Sequence, residues 1–315
     1  MIKNDVSLWF LAAKTDVSFM MQTIPHLVRM CNFSFAECVL AIDTKPLSEE
    51  KRFRPNIGTP KQLRDCCNKL LSNGIVDKII DIDFPEDYRK RAYRKHFGTS
   101  RIRQTHNWKG YPVLGSIFCI EEAKGDYFLH FDSDMLLYQG REYNWIEEGI
   151  RILREHPEVI CVRPSAGPQS KENNLYESKY FSEKDSGGFY RLKGFSSRTF
   201  LIDRKRFEEL LPLKILWAKK QGSIKDRVPR VLMEKIYHFT GLGRLESWEK
   251  MVTEGIKRKG FIRADIISSK SWTLHPCNHG VKFIEALPKI IEDVESGHHP
   301  QEQAGNYDLQ LKYWI

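Results

Sequence analysis

The sequence of 315 residues has no run of apolar residues that approaches the roughly 20 needed for a membrane-spanning helix. It also lacks the cysteine spacing of a metal site, because its seven cysteines are scattered and Cys66 and Cys67 are adjacent. It contains no internal repeat and no low-complexity tract. These absences argue against a bilayer-crossing protein and a cysteine-based metal centre. Unpaired thiols are typical of a reducing compartment, so we expect a cytoplasmic protein.

The composition is that of a globular chain, with 41% hydrophobic and 29% charged residues. The length predicts one large α/β unit or two closely packed halves. Residues 7–13 are apolar, but Asp5 precedes them, Lys14 and Asp16 follow them, and there is no strongly basic leader. We therefore interpret 7–13 as a first buried strand rather than a signal peptide.

The formal net charge is +9, and the Lys and Arg residues are spread along the chain. Only modest basic clusters occur, at 88–95 and 257–259. This pattern favours a solvated basic face that attracts phosphorylated ligands or makes peripheral contact with an anionic membrane. It does not favour specific nucleic-acid binding.

Apolar periodicity predicts strands at 8–13, 37–42 and 75–80, separated by helices at 16–30 and 60–71. Strand–helix alternation is typical of a parallel sheet wrapped by helices, and ligands bind such sheets beyond the carboxyl ends of the strands.

Less regular segments follow. Residues 85–109 are basic and aromatic, and we expect irregular structure there. The polar stretch 164–193 predicts a substrate loop or a surface excursion. Helices are expected at 207–211 and near 282–294.

Residues 125–135 form an apolar, strand-like run that ends in two carboxylates, Asp132 and Asp134. In an extended chain, side chains two apart leave the same face, so both carboxylates should address one point. Their repulsion costs free energy unless a cation neutralises them. Mg²⁺ or Mn²⁺ takes such hard oxygen ligands and completes its shell with water and phosphates. Asp43 follows the second predicted strand, so we expect it at the same edge of the sheet as Asp132.

The order of these parts, over 7–276, resembles the inverting glycosyltransferases of the GT-A fold, especially family 2. Residues 123–134 are similar to that family's A-x-G-D-Y-hydrophobic-D-x-D signature. The strand ending at Asp43, the acidic helix start at Glu246 and the segment 272–276 also match in order.

The resemblance implies a metal site formed by Asp132 and Asp134, with His275 as a third ligand and His279 as a weaker substitute. It implies Mn²⁺ or Mg²⁺ as the cofactor.

The resemblance also implies a nucleotide-sugar site. Asp43 would bind the base, Asp132 would contact the ribose or the metal, and Lys109 would lie near the nucleotide. Ala12 and Ser133 complete this set.

Inverting transfer needs a base that takes the proton of the acceptor hydroxyl. Related enzymes place an Asp at the start of a helix, but this chain has Ser247 there. We therefore take Glu246 as the candidate base, with Glu249 in reserve. Helix-start acidity that favours the dipole is the alternative interpretation of both.

The resemblance implies an α/β GT-A fold whose mostly parallel central sheet is flanked by helices. Residues 1–140 would bind the donor, 141–280 the acceptor, and 281–315 would form a helical tail. The implied activity is metal-dependent transfer from a UDP-linked or other nucleotide sugar to a saccharide, lipid-linked or small-molecule acceptor.

Three alternatives stay open. A retaining glycosyltransferase would share the donor site. A noncatalytic nucleotide-sugar-binding protein would explain Ser247. A sugar nucleotidyltransferase is disfavoured because residues 12–16 contain no glycine.

Overall fold

The computed structural model describes residues 5–83, 85–170, 183–218 and 229–315. Its strands are β1 (Val6–Ala12), β2 (Glu37–Asp43), β3 (Lys78–Ile82), β4 (Tyr127–Asp132), β5 (Leu136–Gln139), β6 (Val159–Arg163), β7 (Ser165–Ala166), β8 (Glu183–Lys184), β9 (Phe189–Leu192), β10 (Thr199–Asp203), β11 (Ile262–Ile266) and β12 (Ser271–Leu274). Its helices are α1 (Met20–Cys31), α2 (Pro60–Ser72), α3 (Glu86–Phe97), α4 (Leu114–Glu122), α5 (Trp145–Glu155), α6 (Arg204–Glu208), α7 (Arg230–Thr240), α8 (Trp248–Lys259) and α9 (Val281–Glu295).

The central sheet has nine strands in the order β3-β2-β1-β4-β10-β6-β11-β9-β8. Parallel pairing of β3, β2, β1 and β4 gives the 3-2-1-4 order of a Rossmann-like half. Only β10 and β9 run against the other strands of this sheet. A second, small sheet has the order β5-β12-β7. The predicted fold class, α/β with a mostly parallel sheet flanked by helices, is confirmed.

The strand β1 is buried on both faces, as expected for a central strand between helices. Leu8 and Phe10 pack into the core that includes α1, α2 and α5, whereas Trp9 packs into the core beneath α3, α4 and α8. Each fully buried side chain of this kind contributes about 1.5–3 kcal/mol. The strand that leads into the site is thus fixed from both sides.

The carboxyl ends of β1, β2 and β4 lie side by side, because Leu11 pairs with Asp132 and Ala12 pairs with Ile42. The loops that leave these strands therefore open at one edge of the sheet.

The prediction of irregular structure for 85–109 is wrong over its first half, which forms α3. Tyr93, His96 and Phe97 face inward at helical spacing, but the many surrounding Arg and Lys residues conceal that stripe in the sequence. Gly98 ends the helix with φ +68°, a left-handed conformation that glycine adopts readily.

Two further expectations are adjusted. The short helix expected at 207–211 is α6, which begins three residues earlier. In the stretch 164–193, β7, β8 and β9 are formed, and 171–182 lie outside the described residues. No helix in the described ranges has the length and apolar character to cross a membrane.

Candidate active site

A cleft of about 640 Å³ opens at the carboxyl ends of β1, β2 and β4. The side chains predicted from the sequence all line it: Ala12, Asp43, Lys109, Asp132, Ser133, Asp134, Glu246, Glu249, His275 and His279. These side chains come from segments that extend from the end of β1 to the residues after β12. The fold, rather than proximity in the sequence, therefore brings them together.

The two central carboxylates reach the cleft from a turn. β4 ends at Asp132, and the amide of Met135 donates to the carbonyl of Asp132 (3.2 Å). The expectation that strand alternation places Asp132 and Asp134 on one face is therefore wrong, although both line the same cleft. The hydroxyl of Thr23 in α1 donates to the carbonyl of Ser133 and fixes the turn.

Asp132 and Asp134 lie in different environments. The Asp132 side chain is 44% exposed, and its Oδ1 lies 3.2 Å from Nε2 of His130. The Asp134 side chain is only 10% exposed, with Oδ2 3.0 Å from Nε2 of His279. Its Oδ1 is buried and accepts no hydrogen bond from the described residues. Burial works to raise the pKa of Asp134, but the contact with His279 and the charge of His275 outweigh it and lower the pKa. Asp134 is thus a buried anion with one oxygen that has no hydrogen-bond partner among the described residues.

His275 follows β12 and is fixed by the C-terminal tail. Its Nδ1 lies 2.9 Å from Oδ1 of Asp308, and its ring stacks on Tyr307 with 5.9 Å between centroids. The hydrogen bond from His275 lowers the pKa of Asp308. When the ring is neutral and Nδ1 donates to this carboxylate, Nε2 is the ring nitrogen that presents a lone pair.

In the described part of the chain, one group of three residues places its potential metal-ligand atoms within 4.8 Å of one another. These residues are His275, Cys277 and Asp308. Asp132, Asp134 and His275 also line the cleft, but their potential ligand atoms do not all lie within 4.8 Å of one another. Burial and the contact with Asp308 raise the pKa of Cys277 to about 12. A thiol that stays protonated at neutral pH is a poor metal ligand.

Asp43 ends β2 and is buried beside His106. Its Oδ2 lies 2.7 Å from Nε2 of His106, and its Oδ1 accepts from the amide of Lys45 (3.1 Å). Burial works to raise the pKa of Asp43, but the contact with His106 outweighs it and lowers the pKa. His106 was not predicted, because a single histidine in a basic segment carries no pattern.

A further buried carboxylate, Asp16, follows β1 and was also missed. Its Oδ2 accepts from the amide of Ala13 (2.9 Å), and its Oδ1 accepts from the hydroxyl of Thr15 (2.7 Å). Burial raises the pKa of Asp16, although the charge of Lys51 opposes this. Asp16 and Lys51 both line the cleft.

Two arginines of the cleft were missed as well. Burial works to lower the pKa of Arg54, but its hydrogen bond to Tyr111 (3.0 Å) and the charge of Asp134 help to raise it. Burial also works to lower the pKa of Arg198, which lies just before β10, but neighbouring groups raise it. The neighbouring carboxylates that raise its pKa are Asp132, Glu249 and Asp308.

Glu246 is tied down by three donors. Its Oε1 accepts from the indole of Trp108 (3.1 Å) and the amide of Ser247 (3.0 Å), and its Oε2 lies 3.1 Å from Nζ of Lys250. Burial works to raise its pKa, but these contacts lower it.

Glu249 is less constrained. Its Oε2 accepts from the amide and the hydroxyl of Ser197 (both 2.9 Å), and its Oε1 accepts no hydrogen bond from the described residues. Ser247 caps α8, because its hydroxyl accepts from the amide of Lys250 (3.3 Å).

Lys109 lies at the mouth of the cleft. Its Nζ is 3.2 Å from Glu50 Oε2 and 5.0 Å from the centroid of the Trp108 ring. The side chain is half-exposed, so its charge remains accessible to a ligand.

No family model and no curated protein matches this chain. One solved structure that is similar is the crystal structure of GalNAc-T7 with UDP, GalNAc and Mn²⁺. The identity is 12% and the TM-score is 0.47, over 86% of this chain and 43% of that one. This chain thus spans less than half the length of that structure.

The cleft combines an acidic strand edge with cations on the facing loops. The acidic groups are Asp16, Asp43, Asp132 and Asp134, and the cations are Lys51, Arg54, Lys109 and Arg198. Carboxylates at this density favour a divalent cation, whereas the basic groups favour phosphate oxygens. A diphosphate that bridges a metal ion and the basic loops satisfies both.

Proposed function

We propose that this protein is a metal-dependent glycosyltransferase that moves a sugar from a nucleoside-diphosphate sugar, UDP-linked by resemblance, to an acceptor hydroxyl. The observation that carries the proposal is Asp134, a buried anion whose Oδ1 accepts no hydrogen bond from the described residues. Asp132 lies beside it in a cleft lined by cations.

The residues fit a hard divalent cation, Mn²⁺ or Mg²⁺. Asp134 offers its unpartnered oxygen, Asp132 offers a half-exposed carboxylate, and His275 offers Nε2. One or two carboxylates suffice for such ions, since water and phosphates complete the shell. When bound, the cation would neutralise charge on the departing diphosphate. Asp308 orients His275 by accepting its Nδ1 proton.

The donor nucleotide is proposed to lie along the strand ends, with Asp43 at the base, Ala12 and Ser133 along the wall, and Lys109 near the phosphates. Arg54 and Arg198 extend this set, because both carry their charge into the cleft beside the central carboxylates. Arg is well suited to paired phosphate oxygens.

Inverting displacement is proposed, with the acceptor proton passing to a carboxylate at the start of α8. Of the two candidates, Glu249 is favoured over Glu246. Three donors stabilise the charged form of Glu246 and lower its pKa, which makes it a weaker base. Glu249 keeps Oε1 free of hydrogen bonds from the described residues.

The test is Asp134→Asn, which preserves side-chain volume and removes the charge. Manganese-dependent donor turnover should fall at least about a hundredfold, while circular dichroism confirms the fold. Asp65→Asn is the control, since that carboxylate lies on the surface of α2 and pairs only with Lys61 among the described residues. Unchanged turnover in Asp134→Asn would remove the metal role. NMR of the product's anomeric configuration decides between inversion and retention.

A further inference from the structure

The helix α7 turns an apolar face to the outside of the protein. The described residues leave 11 large apolar side chains exposed, and five of them lie within 231–242: Val231, Leu232, Ile236, Phe239 and Leu242. Scattered exposed apolar side chains are normal, but a contiguous patch marks an interaction surface.

The exposed face is a continuous stripe along the helix. At 100° per residue, Val231, Leu232, Ile236 and Phe239 span ~140° of the helix circumference. The opposite side packs on the protein, where Tyr237 contacts Trp217 with 5.7 Å between ring centroids. A helix of a globular protein normally buries its apolar stripe, so α7 has the reverse arrangement.

Cations accompany this stripe. Lys235 is exposed within it, and Arg244 is exposed just beyond the helix. The guanidinium of Arg101 lies 4.8 Å from the centroid of the Phe239 ring. Long cationic side chains can lie along apolar groups and extend their charge to lipid headgroups.

We propose that α7 is a membrane-docking helix that inserts its apolar face into the headgroup region of an anionic bilayer. Interfacial helices combine apolar anchors with flanking Lys and Arg in this way. A bilayer with anionic lipids neutralises Arg101, Lys235 and Arg244. A second copy of the chain, by contrast, would bring like charges together across a two-fold interface.

The chain offers a matched control for the anchors. Val231 is 68% exposed and Phe239 is 71% exposed, whereas Val281 on α9 is 62% exposed and Phe53 is 80% exposed. Each pair therefore contains one valine and one phenylalanine of similar exposure. Replacement by serine removes comparable apolar area from α7 in one pair and from elsewhere in the other.

The experiment is vesicle sedimentation of the full chain, without any sugar nucleotide, so its outcome is independent of the proposed function. Wild type should bind vesicles of phosphatidylcholine mixed with phosphatidylglycerol, and bind phosphatidylcholine alone more weakly. The double variant V231S/F239S should lower the partition coefficient at least about tenfold, and V281S/F53S should change it less than about twofold. The variant R101Q/K235Q should reduce the preference for the anionic lipid.

Two results would overturn the proposal. One is the absence of vesicle binding by wild type; a dimer in sedimentation velocity that V231S/F239S converts to monomer would then show that α7 binds a second copy. The other is an equal loss in both double variants. Thermal melting confirms that each variant is folded, which is expected because all four positions are on the surface.

Discussion

The strand-edge wall of the cleft and its α8 wall face the same space but are built in different ways. Asp43 and Asp132 are the last residues of strands whose register is fixed by pairing on both sides. Glu246 and Glu249 stand at the start of a helix that is reached through a loop. The first wall is positioned by the sheet, and the second by side-chain contacts.

Under the proposed function, this difference separates the groups that bind the donor from the group that acts as the base. On the strand edge, the sheet itself positions the groups that would hold metal and nucleotide, and the change of one contact should leave the others in place. On the α8 wall, the choice of base depends on which carboxylate the neighbouring donors restrain. The largest mutational contrast is therefore expected between Glu246 and Glu249.

Glu249→Gln should lower kcat by about 10²–10⁴, the range for loss of a general base, with little change in donor affinity. Glu246→Gln should lower kcat less than about tenfold, because Trp108, Ser247 and Lys250 already stabilise its charge and limit its basicity. Steady-state kinetics with a saturating donor would measure both. The opposite ranking would assign the base to Glu246.

A smaller effect is expected at Asp308, a residue of the C-terminal tail that contacts the candidate metal ligand His275. Asp308→Asn weakens the acceptor for the Nδ1 proton of His275, so Mn²⁺ affinity should fall by about 10–100-fold. Isothermal titration with Mn²⁺ alone would measure this. Asp65→Asn, at a carboxylate with closely similar side-chain exposure, is the control. Equal Mn²⁺ affinity in the two variants would exclude an orienting role for Asp308.

The sequence predicts the strand edge better than the rest. The apolar runs of β1, β2 and β4 are buried on both faces, so they stand out from the flanking polar residues. Asp43, Asp132 and Asp134 follow directly from those runs. The predicted cause of this placement was nevertheless wrong for Asp134, because a turn, and not strand alternation, brings its side chain to the cleft.

The residues that sequence reasoning missed come from loops and from one concealed helix. Lys51 and Arg198 reach the cleft, and His106 reaches Asp43, only through tertiary packing. Each is a common charged or titratable residue in a chain rich in such residues. α3 escaped prediction because its buried stripe is narrow and interrupted by cations. Periodicity reports which side faces the core, but not which polar side chain faces a ligand.

The smallest expected effect concerns Ser247 on the α8 wall, at the position where the glycosyltransferases that the sequence resembles carry an Asp. Its hydroxyl caps α8, so Ser247→Ala should lower the free energy of unfolding by about 1 kcal/mol and change kcat little. Ser247→Asp can keep the cap, because Asp is an equally good capping residue, and should preserve stability. Urea unfolding and kcat would be measured for both variants. A large rise in kcat with Asp would mean that the base belongs at this position and that the α8 wall of the natural chain lacks it.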